Sequence, residues 1–158
     1  MAERGVEIFV DADACPVKDE VARVAARHKL VTHLVSNQWM RGPDDPLIRR
    51  VVVGTHKLDA ADDWIAENVL AHDIVITADI PLAARVVAKG ATVLRPNGEP
   101  LDQSSIGMAA AMRDLNTHLR DSGMITGGPA PFNKNDRSRF LDRLETAVRA
   151  ALKAKPAA

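Results

Sequence analysis

The chain has 158 residues, 46% hydrophobic and 27% charged, with 21 Lys+Arg against 21 Asp+Glu, the profile of one globular domain. A chain of this size buries roughly two-thirds of the surface it exposes when unfolded, so neither a disulfide nor a metal is needed to hold it together. The single cysteine, Cys15, excludes an intramolecular disulfide. No basic-then-apolar leader opens the sequence and no apolar run is long enough to span a bilayer, so a cytoplasmic location with no membrane partner is expected. A net charge of zero argues against coating nucleic acid by bulk electrostatics, and 3% aromatics without tyrosine supply no broad stacking platform for bases. The zero is divided: residues 1–94 hold 11 Lys+Arg and 14 Asp+Glu, and residues 95–158 hold 10 and 7. The acidic half suits a site and the basic half an arm.

In chain order, short apolar runs alternate with helical stripes. Ile8-Phe9-Val10 predicts a first strand; Val21, Val24, Ala25 and His28 line one face of a helix; His33-Leu34-Val35 is a second strand. A loop over 37–48, with Gly42, Pro43 and Pro46, precedes a third strand at Val51-Val52-Val53. Ala61, Ile65 and Val69 mark a second helix, Ile74-Val75-Ile76 a fourth strand, Leu82, Val86 and Val87 a third helix, and Thr92-Val93-Leu94 a fifth strand. Continuous apolar runs favour strands covered on both faces. Two more helices follow, from about Ser104 to Asp121 with Met108, Met112, Leu115 and Leu119 read as its core face, and from about Asp136 with Phe140, Leu144, Val148 and Leu152. Gly123 closes the first of these, and Gly127-Gly128-Pro129-Ala130-Pro131 continues no regular element. The predicted fold is a three-layer α/β/α sandwich on a mainly parallel sheet of about five strands. Residues 1–122 form the α/β unit, and 123–158 a Gly/Pro loop and C-terminal helix packed on it.

In open parallel sheets ligands bind beyond the carboxyl ends of the strands. The residues there are polar: Asp11 and Asp13 after the first strand, Ser36, Asn37 and Gln38 after the second, Thr55 and His56 after the third, Thr77 and Asp79 after the fourth, Arg95 and Asn97 after the fifth. Right-handed crossovers start their helices on the same rim, which adds Asp59, Asp62 and Asp63. Carboxylates gathered this way repel one another unless a cation sits among them. Oxygen-only ligands select a hard ion, so Asp11, Asp13, Asp59, Asp62 and Asp79 are candidate ligands for Mg²⁺ or Mn²⁺. Such an ion activates water for phosphodiester hydrolysis. Asp11, Asp13, Asp62 and Asp79 are the candidate catalytic residues, with Thr77, Asn37 and Gln38 beside them.

Simpler roles compete. Asp79 before Ile80-Pro81 is ordinary N-capping chemistry, and Asp59 or Asp62 can cap the second helix. Asp11 and Asp13 are less readily explained, because carboxylates at the end of a buried strand face a desolvation cost if unpaired. Cys15 reads as a small packed hydrophobe and not a thiolate, since nearby acids oppose its ionisation. The five histidines show no ligand spacing. Among the basic residues, Arg137 and Arg139 follow a loop long enough to return to the rim, where guanidinium groups clamp phosphate.

Taken together, Val10-Asp11-Ala12-Asp13-Ala14-Cys15-Pro16, Asn37-Gln38, Asp59-Ala60-Ala61-Asp62, Asp73-Ile74-Val75-Ile76-Thr77-Ala78-Asp79-Ile80-Pro81-Leu82-Ala83, Thr126-Gly127-Gly128-Pro129 and Asp136-Arg137-Ser138-Arg139-Phe140 closely resemble the bacterial YaiI/YqxD family, in order along nearly the whole chain. That family is grouped with PIN-like domains, whose active members are divalent-metal nucleases with a few clustered acids on a parallel α/β/α sheet. The resemblance implies Asp11 or Asp13 on the first strand, Asp59 or Asp62 at the central helix, and Asp79 with Thr77 on the fourth strand. The sequence departs from ordinary PIN nucleases in its doubled Asp-x-Asp followed by Cys-Pro, and in having Asp where Glu is common.

The leading expectation is a metal-dependent phosphodiesterase acting on nucleic acid, RNA before DNA. An Asp-nucleophile phosphatase is a second, since Asp11-Ala12-Asp13 also resembles a haloacid-dehalogenase first motif, although no paired Asp-Asp follows late in the sheet and little length is left for a cap. A third is a non-catalytic module that uses the rim to dock RNA or protein.

Overall fold

A computed structural model describes residues 4–54, 59–121 and 132–155. The apolar run β1 (Ile8–Asp11) passes through a 3-10 turn at Ala12–Ala14 into α1 (Lys18–His28) and β2 (Thr32–Ser36). Then come β3 (Ile48–Val52), α2 (Ala60–Asn68), β4 (Ile74–Ile76), α3 (Ile80–Val87), β5 (Thr92–Leu94), β6 (Pro100–Leu101), α4 (Gln103–Asp121) and α5 (Lys134–Ala154). Thr55, His56, Gly123, Thr126 and the stretch 127–131, each singled out above, lie outside the described residues.

The strands form one sheet in the order β3-β2-β1-β4-β5-β6. The first five are parallel, with Ile8 opposite Thr32 on one side and Ile74 on the other, and β6 runs antiparallel to β5. Alternation of side chains sends successive residues to opposite faces. Ile8, Val10, Ile74 and Ile76 meet Val21 and Val24 of α1 and Phe140, Leu144 and Val148 of α5, whereas Phe9, Val75 and Val93 meet Ile65 of α2 and Leu82 and Val86 of α3. These two cores make the three layers of an α/β/α sandwich.

The C-terminal helix is held as firmly as the others. Asn133 and Asp136 form a reciprocal capping box, each side chain accepting the other's backbone N–H at 3.0 Å. Phe140, Leu144 and Val148 are fully buried. At Gly98, φ is +92° and a Cβ would stand 3.0 Å from the backbone of Arg139 and Phe140, so only glycine lets the β5–β6 turn approach α5. At the opposite, N-terminal end of the sheet, the buried Asp73 carboxylate accepts from Arg4 Nη1 at 3.0 Å and Nη2 at 2.6 Å, and from the backbone N–H groups of Glu7 at 3.0 Å and Leu70 at 2.8 Å.

Four expectations change. The sheet has a sixth, two-residue strand, too short to carry an apolar pattern. β3 begins at Ile48, and as an edge strand it leaves Arg49, Arg50 and Val52 exposed instead of being covered on both faces. α1, marked in the sequence only from Val21 onward, starts at Lys18 with Val17 at its cap. Met108, Met112 and Leu115 are not core: they are exposed, because α4 leans on the second core through Ile106 near its start and turns this stripe outward.

Candidate functional site

The connections leave β1 toward β2 and β3 on one side and leave β4 toward β5 on the other. The β1–β4 seam is therefore the point where strand order reverses, and the carboxyl end of such a seam is where open parallel sheets bind their ligands. Asp11 ends β1 and Thr77 follows β4, so both stand at the mouth of this seam. The Thr77 hydroxyl donates to Asp11 Oδ2 at 3.0 Å and accepts the Asp79 N–H at 3.0 Å. Asp79 Oδ1 in turn accepts from Leu82 N at 2.8 Å, so Asp79 is the N-cap of α3, ahead of Pro81 in its first turn.

The acids of the rim are electrostatically coupled. Burial pushes the Asp11 carboxyl up, helped by the charges of Asp13 and Asp79 and opposed by the hydrogen bond from Thr77. Asp62, in the first turn of α2, is pushed up to about 6 by burial first and then by the charges of Asp79, Asp11 and Asp59, against the pull of Arg85. Asp59 occupies the N-cap position of α2 but its side chain makes no capping bond, and Asp63 pairs with Arg85 at 2.8 Å.

Asp13 is exposed and accepts the Asn37 N–H at 3.1 Å, which fastens the loop after β2 to the turn after β1. Among the described residues Asn37 Oδ1 is buried without a hydrogen-bond partner, an acceptor left over at the rim. Gln38 is exposed and its carbonyl accepts from Ser36 Oγ at 2.6 Å. Arg137 rests over the Phe132 ring and donates to Pro16 O at 2.7 Å and to Glu20 at 3.2 Å. Arg139 reaches Asn97 O at 3.5 Å and Asp136 at 3.2 Å. The first turn of α5 thus lies against the start of α1 and the β5–β6 turn, with both guanidinium groups already engaged by carboxylates.

The donor set suits a hard cation, being all oxygen, but among the described residues no three of His, Cys, Asp and Glu are arranged to hold an ion by themselves. Asp13 and Asp79 each spend carboxylate capacity on backbone N–H groups. What fits is a site with one or two protein carboxylates and the remaining positions left to water or phosphate, a pattern common for Mg²⁺. Cys15 is buried and its thiol is pushed up to about 11, chiefly by burial, so it is the packed hydrophobe its sequence suggested. His28 contacts Glu145 at 2.9 Å, and His33 contacts Glu7 at 2.7 Å and stacks on Phe9, so both have structural partners. Sequence reasoning passed over Trp39, exposed on the loop after β2, and Lys18 and Arg41, which line one cleft; the only signal was a tryptophan directly after the Asn37-Gln38 pair and an arginine two residues further on.

A family model described as "Uncharacterized BCR, YaiI/YqxD family" matches residues 9–150. The chain belongs to the YaiI/YqxD family. A UPF0178 protein of Gluconacetobacter diazotrophicus is 60% identical over 143 residues, covering 90% of this chain and 92% of that protein. A UPF0178 protein of Rhodopseudomonas palustris strain TIE-1 is 56% identical over 149 residues, 94% of each chain. One of Bradyrhizobium sp. strain ORS 278 is 56% identical over 144 residues, 91% of this chain and 87% of that protein. No solved structure matches the chain. Among the described residues of this YaiI/YqxD protein, no helix is long and apolar enough to cross a membrane.

Proposed function

We propose that this protein is a divalent-metal-dependent phosphodiesterase that cleaves nucleic acid, RNA in preference to DNA, at the carboxyl end of the β1–β4 seam. The observation that carries the reading is that Asp11 and Asp62 are both pushed up, by burial first and then by neighbouring carboxylates, at the sheet's switch point; acids perturbed in this way cluster at functional sites. The PIN-like kinship implied by the sequence motifs supports it.

In this reading Asp11 and Asp79, linked through Thr77, are the residues that would hold Mg²⁺ or Mn²⁺, each with one oxygen already engaged in a hydrogen bond. A bound ion of this kind acidifies a water and neutralises charge on a phosphate. Thr77 fixes the orientation of Asp11 through its hydroxyl. Asp62, with its carboxyl near 6, takes up a proton at pH 7 more readily than an ordinary aspartate and serves as the base. Asp13 holds the Asn37 loop, and Asp59 adds negative charge at the entrance. Arg137 and Arg139, in the first turn of α5, would meet a phosphodiester chain by exchanging Glu20 and Asp136 for phosphate.

The test is cleavage of a labelled single-stranded RNA with Mn²⁺ or Mg²⁺ against EDTA. The reading expects metal-dependent products, lost in Asp11→Asn and Asp62→Asn. Absence of cleavage across RNA and DNA substrates with either metal overturns it. A second reading, a non-catalytic RNA- or protein-binding module, is favoured by the capping role of Asp79 and the loop-fastening role of Asp13. It expects RNA association that EDTA leaves unchanged, with no products.

A further inference from the structure

The loop after β2 leaves Trp39 with 69% of its surface exposed, the most open aromatic ring among the described residues. The loop is not loose. Asn37 N is bound by Asp13 at one end, and Arg50 Nη2 donates to the carbonyls of Gly42 at 2.9 Å and Pro43 at 3.0 Å at the other. Holding an indole in water on an anchored loop forgoes the favourable burial of a large apolar surface. Trp39 itself lines a small crevice with Met40 and Arg50, and further along the same loop Arg41, Gly42 and Pro43 line a separate open cleft of about 420 Å³ with Pro16, Lys18 and Asp19. Among the described residues neither Lys18 nor Arg41 has a carboxylate partner; the Lys18 ammonium touches only Met40 Sδ, at 3.3 Å, a weak acceptor. One carboxylate, Asp19, lines the same cleft.

We propose that this loop and the start of α1 form a track for single-stranded nucleic acid, with one unpaired base stacked on Trp39 and its flanking phosphates on Lys18 and Arg41. An exposed ring followed in the chain by Met40, which Lys18 touches, and then by Arg41 offers the two parts that a nucleotide needs, and every base presents a face to stack. A duplex does not fit the same contacts, because its bases are already stacked on each other. The Asn37–Asp13 bond ties the track directly to the acid rim, so the proposal rests on the phosphodiesterase reading for its purpose and names the substrate form that site receives: single strands.

The experiment uses the full chain carrying Trp64→Phe, which leaves Trp39 as the remaining tryptophan. Its fluorescence is followed in EDTA against a single-stranded oligouridylate of about a dozen nucleotides and a duplex of equal length. Saturable quenching by the single strand and much weaker quenching by the duplex are expected. In the wild-type background, Trp39→Ala weakens binding by roughly tenfold, with an unchanged melting temperature because the ring is exposed. Lys18→Ala/Arg41→Ala lowers the salt slope of the affinity by about 1.4, the value for two phosphate contacts on a single strand. Absence of quenching, or equal affinity of Trp39→Ala and wild type, overturns the track. Because EDTA removes metal, the two readings fail separately. Quenching without metal-dependent cleavage keeps the track and removes the nuclease; cleavage of single strands unaffected by Trp39→Ala does the reverse.

Discussion

The hydroxyl of Thr77 joins the two strands that flank the switch point, donating to Asp11 Oδ2 at 3.0 Å while accepting the N–H of Asp79 at 3.0 Å. The side chain is buried, 2% exposed, so its hydroxyl meets these two partners and not bulk water. Thr77→Val keeps the shape and strands an acceptor and a donor. It is expected to cost about 2 kcal/mol, seen as a lower urea midpoint with unchanged m-value, and Thr77→Ser should recover most of it. A Val variant as stable as wild type would show that the bridge contributes nothing.

Asp62 makes stability depend on pH in an unusual direction. Its folded carboxyl titrates at about 6, against an ordinary 3.8. Between those values the folded state keeps a proton that the unfolded chain has released, so this group's contribution falls as pH rises through the window and stays low above it. Asp62→Asn is therefore expected to stabilise the protein at pH 7 by about 1 kcal/mol, a figure discounted for solvent screening of a partly exposed group, and to change little at pH 3. Thermal melts at the two pH values check it; a variant destabilised at pH 7 contradicts the coupling.

Asp73 gathers the N-terminal edge of the sheet by accepting from Arg4, Glu7 N and Leu70 N while fully buried. Asp73→Ala leaves two backbone N–H groups and a guanidinium without their acceptor, and a loss of about 3 kcal/mol is expected. The loss should appear mainly as faster unfolding if the edge closes late in folding. Activity measured well below the variant's melting temperature should be retained, since the acid rim is at the other end of the strands.

Most of the layer architecture was legible in the sequence because buried parallel strands read as unbroken apolar runs and their crossover helices as one-sided stripes. Ile8-Phe9-Val10 and Ile74-Val75-Ile76 could be placed at once. The stripe on α4 misled, because periodicity tells that Met108, Met112 and Leu115 share a face and not whether a neighbour covers it. β6 was invisible at two residues. For the rim, the positions of Asp11, Thr77 and Asp79 followed from the rule that strand ends meet, but the Thr77 bridge and the coupling to Asp62 depend on strand order, which no local pattern encodes. Low aromatic content says nothing of where the few rings stand, and it could not reveal that Trp39 is left exposed on its loop.

Cys15 should behave as an inert core group. Its thiol, raised to about 11 by burial, presents almost no thiolate at pH 8. Reaction with a disulfide reagent is expected to be slow in the native protein and rapid in denaturant; fast native labelling would contradict the packing described.

Binding of Mn²⁺ to the acid rim tests the account most directly. Isothermal titration of the wild-type protein at pH 7.5 is compared with Asp11→Asn/Asp79→Asn, a variant expected to fold because Asn caps helices as well as Asp does and because Asp11 sheds a desolvated charge. The account predicts a saturable one-site heat for the wild type that the double variant abolishes. No heat in the wild type, or the same heat in both proteins, would contradict it.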